Sequence, residues 1–179
     1  MPTVELCEAR VELVAADALL VPVDGQVCRL GGAPAAALRA ALSDDERADE
    51  LEYVEDALAR LRPLPHPSAR ALDGVARWSS LVVSAAYPHN VDGAIFSPHD
   101  CARMIRAAIP VALATAAEHG ISAIAATLIG TAYRMPADLA VRAFADGVAA
   151  STAPIIVRWS LPDASHRDLA RDAIRRLAR

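Results

Sequence analysis

Aromatic side chains are scarce: phenylalanine, tryptophan and tyrosine make up 4% of the 179 residues. With 54% hydrophobic residues, the core must rest on alanine, leucine and valine. That predicts close helix–sheet packing rather than a few large anchors. Neither charge sign dominates, with 18 Lys and Arg against 22 Asp and Glu. A net charge of -4 gives no long-range field to recruit a polyanion. The basic residues Arg171, Arg175, Arg176 and Arg179 are read as complementing a helix C-terminus, not as a nucleic-acid patch.

Cysteine is also sparse. Cys7, Cys28 and Cys101 are odd in number and lack paired spacing, which predicts reduced thiols. No stretch of about 20 residues is free enough of charge to span a bilayer. No basic-then-apolar segment opens the chain. The expected location is therefore the cytoplasm. The hydrophobic fraction excludes a disordered chain, and the length favours one domain over residues 1–179.

Val4 to Val14 reads as one bent strand or two short ones, broken at Glu8-Ala9-Arg10. Ala18 to Val23 is a continuous apolar run, as in a strand buried on both faces. Pro22 within it should mark its last residues, since proline donates no ladder hydrogen bond. Asp24-Gly25 turns the chain, and Leu30-Gly31-Gly32 forms a tight loop before a helix whose first residue is Pro34. Ser43 to Glu46 reads as a capping box that starts a helix to about Arg62. Short strands are expected at Ser68 to Leu72 and Trp78 to Ala86. Ser97-Pro98-His99-Asp100 opens a helix to His119, kinked at Pro110 and closed by Gly120. Ile121 to Leu128 and Ile155 to Trp159 read as strands. Ala137 to Ala149 and Asp163 to Ala178 read as helices. Such alternation predicts a mainly parallel sheet covered on both faces.

The order of these motifs resembles that of macro domains. That family opens with a buried strand ending in Asp-Ala-Ile-Val-Asn-Ala-Ala-Asn, then Leu-Gly-Gly-Gly-Gly and a helix. Here Asp17 to Asp24 reads Asp-Ala-Leu-Leu-Val-Pro-Val-Asp, followed by Leu30-Gly31-Gly32-Ala33-Pro34. Later the family carries Ser-Thr-Gly-Ile-Tyr-Gly-Phe-Pro, where this chain has Ile129-Gly130-Thr131-Ala132-Tyr133-Arg134-Met135-Pro136. Nearly the whole chain is covered. Taken with the strand–helix alternation, the family order of the two glycine loops implies a three-layer α/β/α sandwich with a mixed, mainly parallel central sheet. Two departures concern the site: Val21 and Asp24 replace the asparagines, and the glycine run is shortened to two.

The resemblance implies binding of ADP-ribose, or a related nucleotide diphosphate, in a cleft between the two glycine loops. Gly31 and Gly32 would bring backbone amides and a helix N-terminus to the diphosphate, an arrangement suited to anions. The amides of Gly130, Thr131, Ala132 and Tyr133 would form a second jaw, with Tyr133 on the distal ribose. Glu12 is the nearest acid to the family's adenine-holding aspartate. Arg134, where the family has glycine, would close the pocket or contact phosphate.

Asp24 falls beside the distal ribose. A carboxylate there accepts from hydroxyls, repels phosphates, and can serve as general base in ADP-ribosyl hydrolysis. Its bland alternative is a turn cap. Whether the chain is an enzyme stays open. The competing class is a degenerate interaction module that kept the fold but lost the site, with a protein partner or a homo-oligomer. Cys28 is expected to be a small buried residue more than a reactive thiol. His66, His89 and His99 offer no converging metal set, since His99 and Cys101 point different ways on a helix. No metal and no cofactor are expected. Nucleophile-elbow, phosphate-loop and dinucleotide fingerprints are absent.

Overall fold

The computed structural model describes residues 1–87, 96–131 and 134–177. Its elements run β1 (Thr3–Cys7), a 3-10 turn (Val11–Leu13), β2 (Ala18–Asp24), α1 (Gly32–Ala41), α2 (Arg47–Arg60), β3 (Ala69–Asp73) and β4 (Ser80–Tyr87). They continue with α3 (Pro98–Glu118), β5 (Ala123–Ala126), α4 (Ala137–Ala149), β6 (Ile156–Ser160) and α5 (Ala164–Leu177). The six strands form one sheet in the order β1-β6-β5-β2-β4-β3. All neighbouring pairs are parallel except β3 with β4.

Strand alternation divides the core into two layers. Ala18 and Leu20 of β2, Val82 of β4, and Ile124 and Ala126 of β5 pack with α3, α4 and α5. Leu19, Val21 and Val23, with Leu81, Val83 and Ala125, pack with α1 and α2. The sheet is thus covered on both faces at its centre, giving the expected α/β/α sandwich. Small residues set this packing: a Cβ added at Gly147 of α4 would come within 2.8 Å of Ile109 Cβ on α3.

Several local expectations change. The second part of Val4 to Val14 is a 3-10 turn, not a strand. Leu13 donates to the Arg10 carbonyl and Val14 to the Val11 carbonyl. Val11 and Val14, three residues apart, are both buried against the α1 layer, which a strand could not achieve. Helix α1 starts at Gly32, so Pro34 is its third residue; a missing N–H is harmless anywhere in that turn. Helix α2 starts at Arg47, although Ser43 still hydrogen-bonds Glu46 at 2.5 Å. Strand β5 ends at Ala126, two residues early.

Pro22 sits inside β2, which remains paired with β4 through Asp24. Its pairing with β5 covers only Ala18 and Leu19. The proline thus falls where one flank of the strand is already unpaired, the place a lost donor costs least. Helix α3 continues through Pro110, and Ser97 caps it by accepting the Asp100 amide at 3.1 Å.

Candidate functional site

The chain leaves β2 toward α1, α2 and β4 on one side, and leaves β5 toward α4 and β6 on the other. The following helices lie on opposite faces of the sheet. That makes the β2–β5 boundary a topological switch point, where a crevice opens outside the carboxyl ends of the strands. The early end of β2–β5 pairing widens it. Two adjoining cavities occupy this crevice. The first has a volume of about 280 Å³, and Asp24, Arg29, Gly31, Gly32, Tyr87 and Thr131 are among its walls. The second, of about 270 Å³, includes Glu12, Arg10, Ala37, Ser160 and His166. Ala33, Thr127, Leu128 and Thr131 border both.

The loop after β2 is held from below. The Asp24 carboxylate accepts the Gln26 amide at 2.9 Å, and its carbonyl accepts the amides of Val27 and Cys28. This is the turn-cap geometry expected of Asp-Gly. Gly25 presses on the neighbouring chain: a Cβ there would lie 1.9 Å from the Leu64 carbonyl oxygen. Cys28 is buried at φ 45°, with its thiol donating to the Gly25 carbonyl at 3.2 Å. Burial pushes the Cys28 thiol pKa above its ordinary value, so it is a packed residue and not an activated nucleophile.

Above that anchor the loop opens. Gly32 has φ +60°, a conformation glycine adopts without strain, whereas Gly31 is extended. Among the described residues, a Cβ added at either would meet nothing within 4 Å. Their position at the start of α1 leaves the Gly32 and Ala33 amides without preceding helical acceptors.

The second loop differs. Gly130 has φ +108°, and a Cβ there would lie 2.6 Å from Met135 Sδ and 3.2 Å from Ile105 Cδ1. Its amide donates to the Tyr87 hydroxyl at 3.2 Å. Thr131 lines both cavities. Arg134 takes φ 53° and lines neither cavity. Ala132 and Tyr133 lie outside the described residues.

In the second cavity, Glu12 pairs with Arg10 at 2.7 Å, and its backbone carbonyl accepts from Arg77. The Glu12 side chain is thus already neutralised where it borders the lobe.

No protein-family model matches the chain, and no curated protein does. Solved structures do. A macrodomain of Oceanobacillus iheyensis with ADP superposes with a TM-score of 0.73 and 13% identity, over 98% of this chain and 91% of that one. A mutant of that macrodomain with ADPR gives 0.72 and 13%, over 98% and 93%. The Trypanosoma brucei macrodomain in complex with ADP-ribose gives 0.67 and 13%, over 96% and 68%. The chain has the macrodomain fold.

Within this macrodomain fold, Asp24, Gly31, Gly32, Thr131 and Glu12 border the crevice. Gly130 is close by but serves packing. Arg29, Tyr87, Thr127 and His166 also border it and were missed. Tyr87 and Thr127 could have been found as residues at or just past the carboxyl ends of parallel strands. Arg29 and His166 carried no such signal. Among the described residues no group of three His, Cys, Asp or Glu could hold a metal. His66 and His119 instead engage the carbonyls of Met104 and Thr115. His89 lies outside the described residues. No described helix is long and apolar enough to cross a membrane. Arg171 and Arg175 pair with Asp168 and Asp172 on their own helix, as a solvated face does. Arg179 lies outside the described residues.

Proposed function

We propose that the crevice binds ADP-ribose or a related nucleotide diphosphate. One observation carries this reading: the empty space over Gly31 and Gly32. Among the described residues nothing requires glycine at Gly31, whose backbone is extended and whose added Cβ would touch none of them. Open glycine at a helix N-terminus admits an anion to the backbone amides. The O. iheyensis and T. brucei structures with ADP or ADP-ribose bound support the same choice of ligand. In this reading the second cavity takes the nucleoside, with Glu12 at its rim, and the first takes the distal ribose beside Asp24.

The competing reading, an interaction module with a lost site, is favoured by a filled crevice or by an extensive apolar surface. Cavities of about 280 and 270 Å³ count against it. Titration calorimetry with ADP-ribose up to millimolar concentration is the test, with amide chemical shifts of Gly31, Gly32 and Thr131 as the local readout. Saturable heat with shifts confined to those loops is expected. No heat and no shifts would return the protein to the interaction-module class.

The reading extends to catalysis through Asp24, proposed as general base toward a water at the distal ribose. Asp24 borders the first cavity, and one of its carboxylate oxygens is oriented by the Gln26 amide. A base held in place by a backbone donor is suited to orienting a water.

A further inference from the structure

We propose that Arg10, paired with Glu12 at the rim of the second cavity, makes that lobe accept a 6-oxopurine as readily as a 6-aminopurine. This inference rests on the nucleotide-diphosphate reading, in which the second cavity takes the nucleoside, and deepens it. The lobe suits a flat base: Val11, Ala36, Ala37, Leu161 and Pro162 give it apolar walls. Such walls hold the faces of a ring, while a few polar groups decide which ring is accepted. Arg10 and Glu12 supply the opposite charges among the polar groups at its border.

Purines differ at one edge. A 6-amino group donates beside an accepting N1, whereas a 6-oxo group accepts beside an N1–H that donates. A carboxylate accepts hydrogen bonds and donates none. Standing alone, Glu12 would favour the amino edge and repel the oxo oxygen. It does not stand alone: its side chain is 11% exposed, and its Oε1 lies 2.7 Å from Arg10 Nε. A carboxylate buried this far needs such a partner, because an uncompensated buried charge is costly. Nε is one donor of the guanidinium, whose terminal nitrogens carry further N–H groups, and the carboxylate has a second oxygen. The rim thus sets an acceptor beside donors, with its charge balanced. An amino edge places N6–H on Glu12 and N1 on Arg10. An oxo edge reverses the two contacts, with O6 on Arg10 and N1–H on Glu12.

The test compares, by calorimetry, ADP-ribose with its hypoxanthine counterpart IDP-ribose, which differs only at that edge. Wild type should bind the two within about fivefold of each other. Arg10→Ala leaves Glu12 as a lone acceptor, so the preference for ADP-ribose over IDP-ribose should rise at least about fivefold, the scale of one hydrogen bond to a charged group. The ratio is the readout because a merely structural role for Arg10 would change both affinities alike. The Arg10 side chain is 67% exposed, so its replacement should leave the fold intact. Should Arg10→Ala not fold, Arg10→Met keeps the stem, removes the donors and carries the same expectation. A wild-type preference for either ligand above about fivefold overturns this inference and spares the ligand reading. So does a ratio that the substitution raises by less than about fivefold. Binding of neither ligand by wild type overturns the ligand reading and this inference with it.

Discussion

The two glycine loops look alike in sequence, yet their glycines answer to different demands. Gly130 is required from within: its φ of +108° strains any other residue, and a Cβ there would press on the side chains of Met135 and Ile105. Gly31 is required by nothing among the described residues, since its backbone is extended and none of them lies within 4 Å of an added Cβ. A glycine fixed by packing reports on the fold. A glycine with no internal reason reports on what approaches from outside. On the proposed reading the loop after β2 faces the ligand, while Gly130 itself belongs to the scaffold. Substitutions can break or sharpen it.

The largest effect is expected at Asp24, the carboxylate of the open loop. In an assay of ADP-ribose release from an automodified protein, Asp24→Ala should lower any activity at least about a hundredfold, the lower range for losing a general base. Asp24→Asn is the sharper variant, because its carbonyl can still accept the Gln26 amide that Asp24 now accepts. Activity should fall as far, while ADP-ribose binding holds or improves as repulsion of phosphate is relieved. Equal release by wild type and Asp24→Asn would confine Asp24 to the turn.

Next come the glycines. Gly130→Ala should destabilise the fold by about 2 kcal/mol, since a residue forced into a sparsely populated backbone region costs on the order of 1–3 kcal/mol. Urea unfolding measures it, and a change below about 0.5 kcal/mol would abolish the distinction. Gly31→Asp should do the opposite. Aspartate is a good helix N-cap, and its carboxylate would accept the Ala33 amide and meet the positive end of α1. Thermal stability should hold or rise. ADP-ribose affinity should fall about tenfold or more, because the new carboxylate occupies the donor and repels phosphate. Undiminished binding would place the diphosphate elsewhere.

Much of this was legible in the chain itself. Apolar runs located the central strands, since a strand covered on both faces needs no alternation: Ala18 to Val23 predicted β2 to within one residue. Ser97-Pro98 predicted the start of α3, and Ala137 to Ala149 matched α4 at both ends. The 3-10 turn was hidden because Val11 and Val14 suit a strand as well as a turn until a helix packs over them. The start of α1 was misplaced because proline is tolerated throughout a first turn, not only at its first residue. The site was half legible. Glycine and aspartate motifs carried the open loop, but Thr127 and Tyr87 belong to it through strand register, which exists only once β5, β2 and β4 are side by side. That Gly130 is a packing glycine rests on Met135 and Ile105, the latter 25 positions away, and no local pattern encodes it.

The smallest effect concerns what anchors the open loop. Cys28 is fully buried beneath it, at φ 45°, with its thiol on the Gly25 carbonyl. Burial is the largest cause raising its pKa from an ordinary 9.0, and the same holds for Cys101 and for the half-buried Cys7. A pKa raised in the folded state means the unfolded chain loses the proton first. The stability this contributes is complete below about pH 9 and is lost as pH rises through the folded-state value. Unfolding midpoints in urea should therefore be flat from pH 7 to 8.5 as far as these thiols are concerned, then decline. Cys28→Ser should not remove the decline entirely, because Cys101 shares it. At neutral pH a thiol-reactive probe should label Cys7 first and reach Cys28 only on opening of the loop. If Cys28 is labelled as fast as Cys7, the loop is not held from below, and the rigid placement of Gly31 and Gly32 over the crevice loses its physical basis.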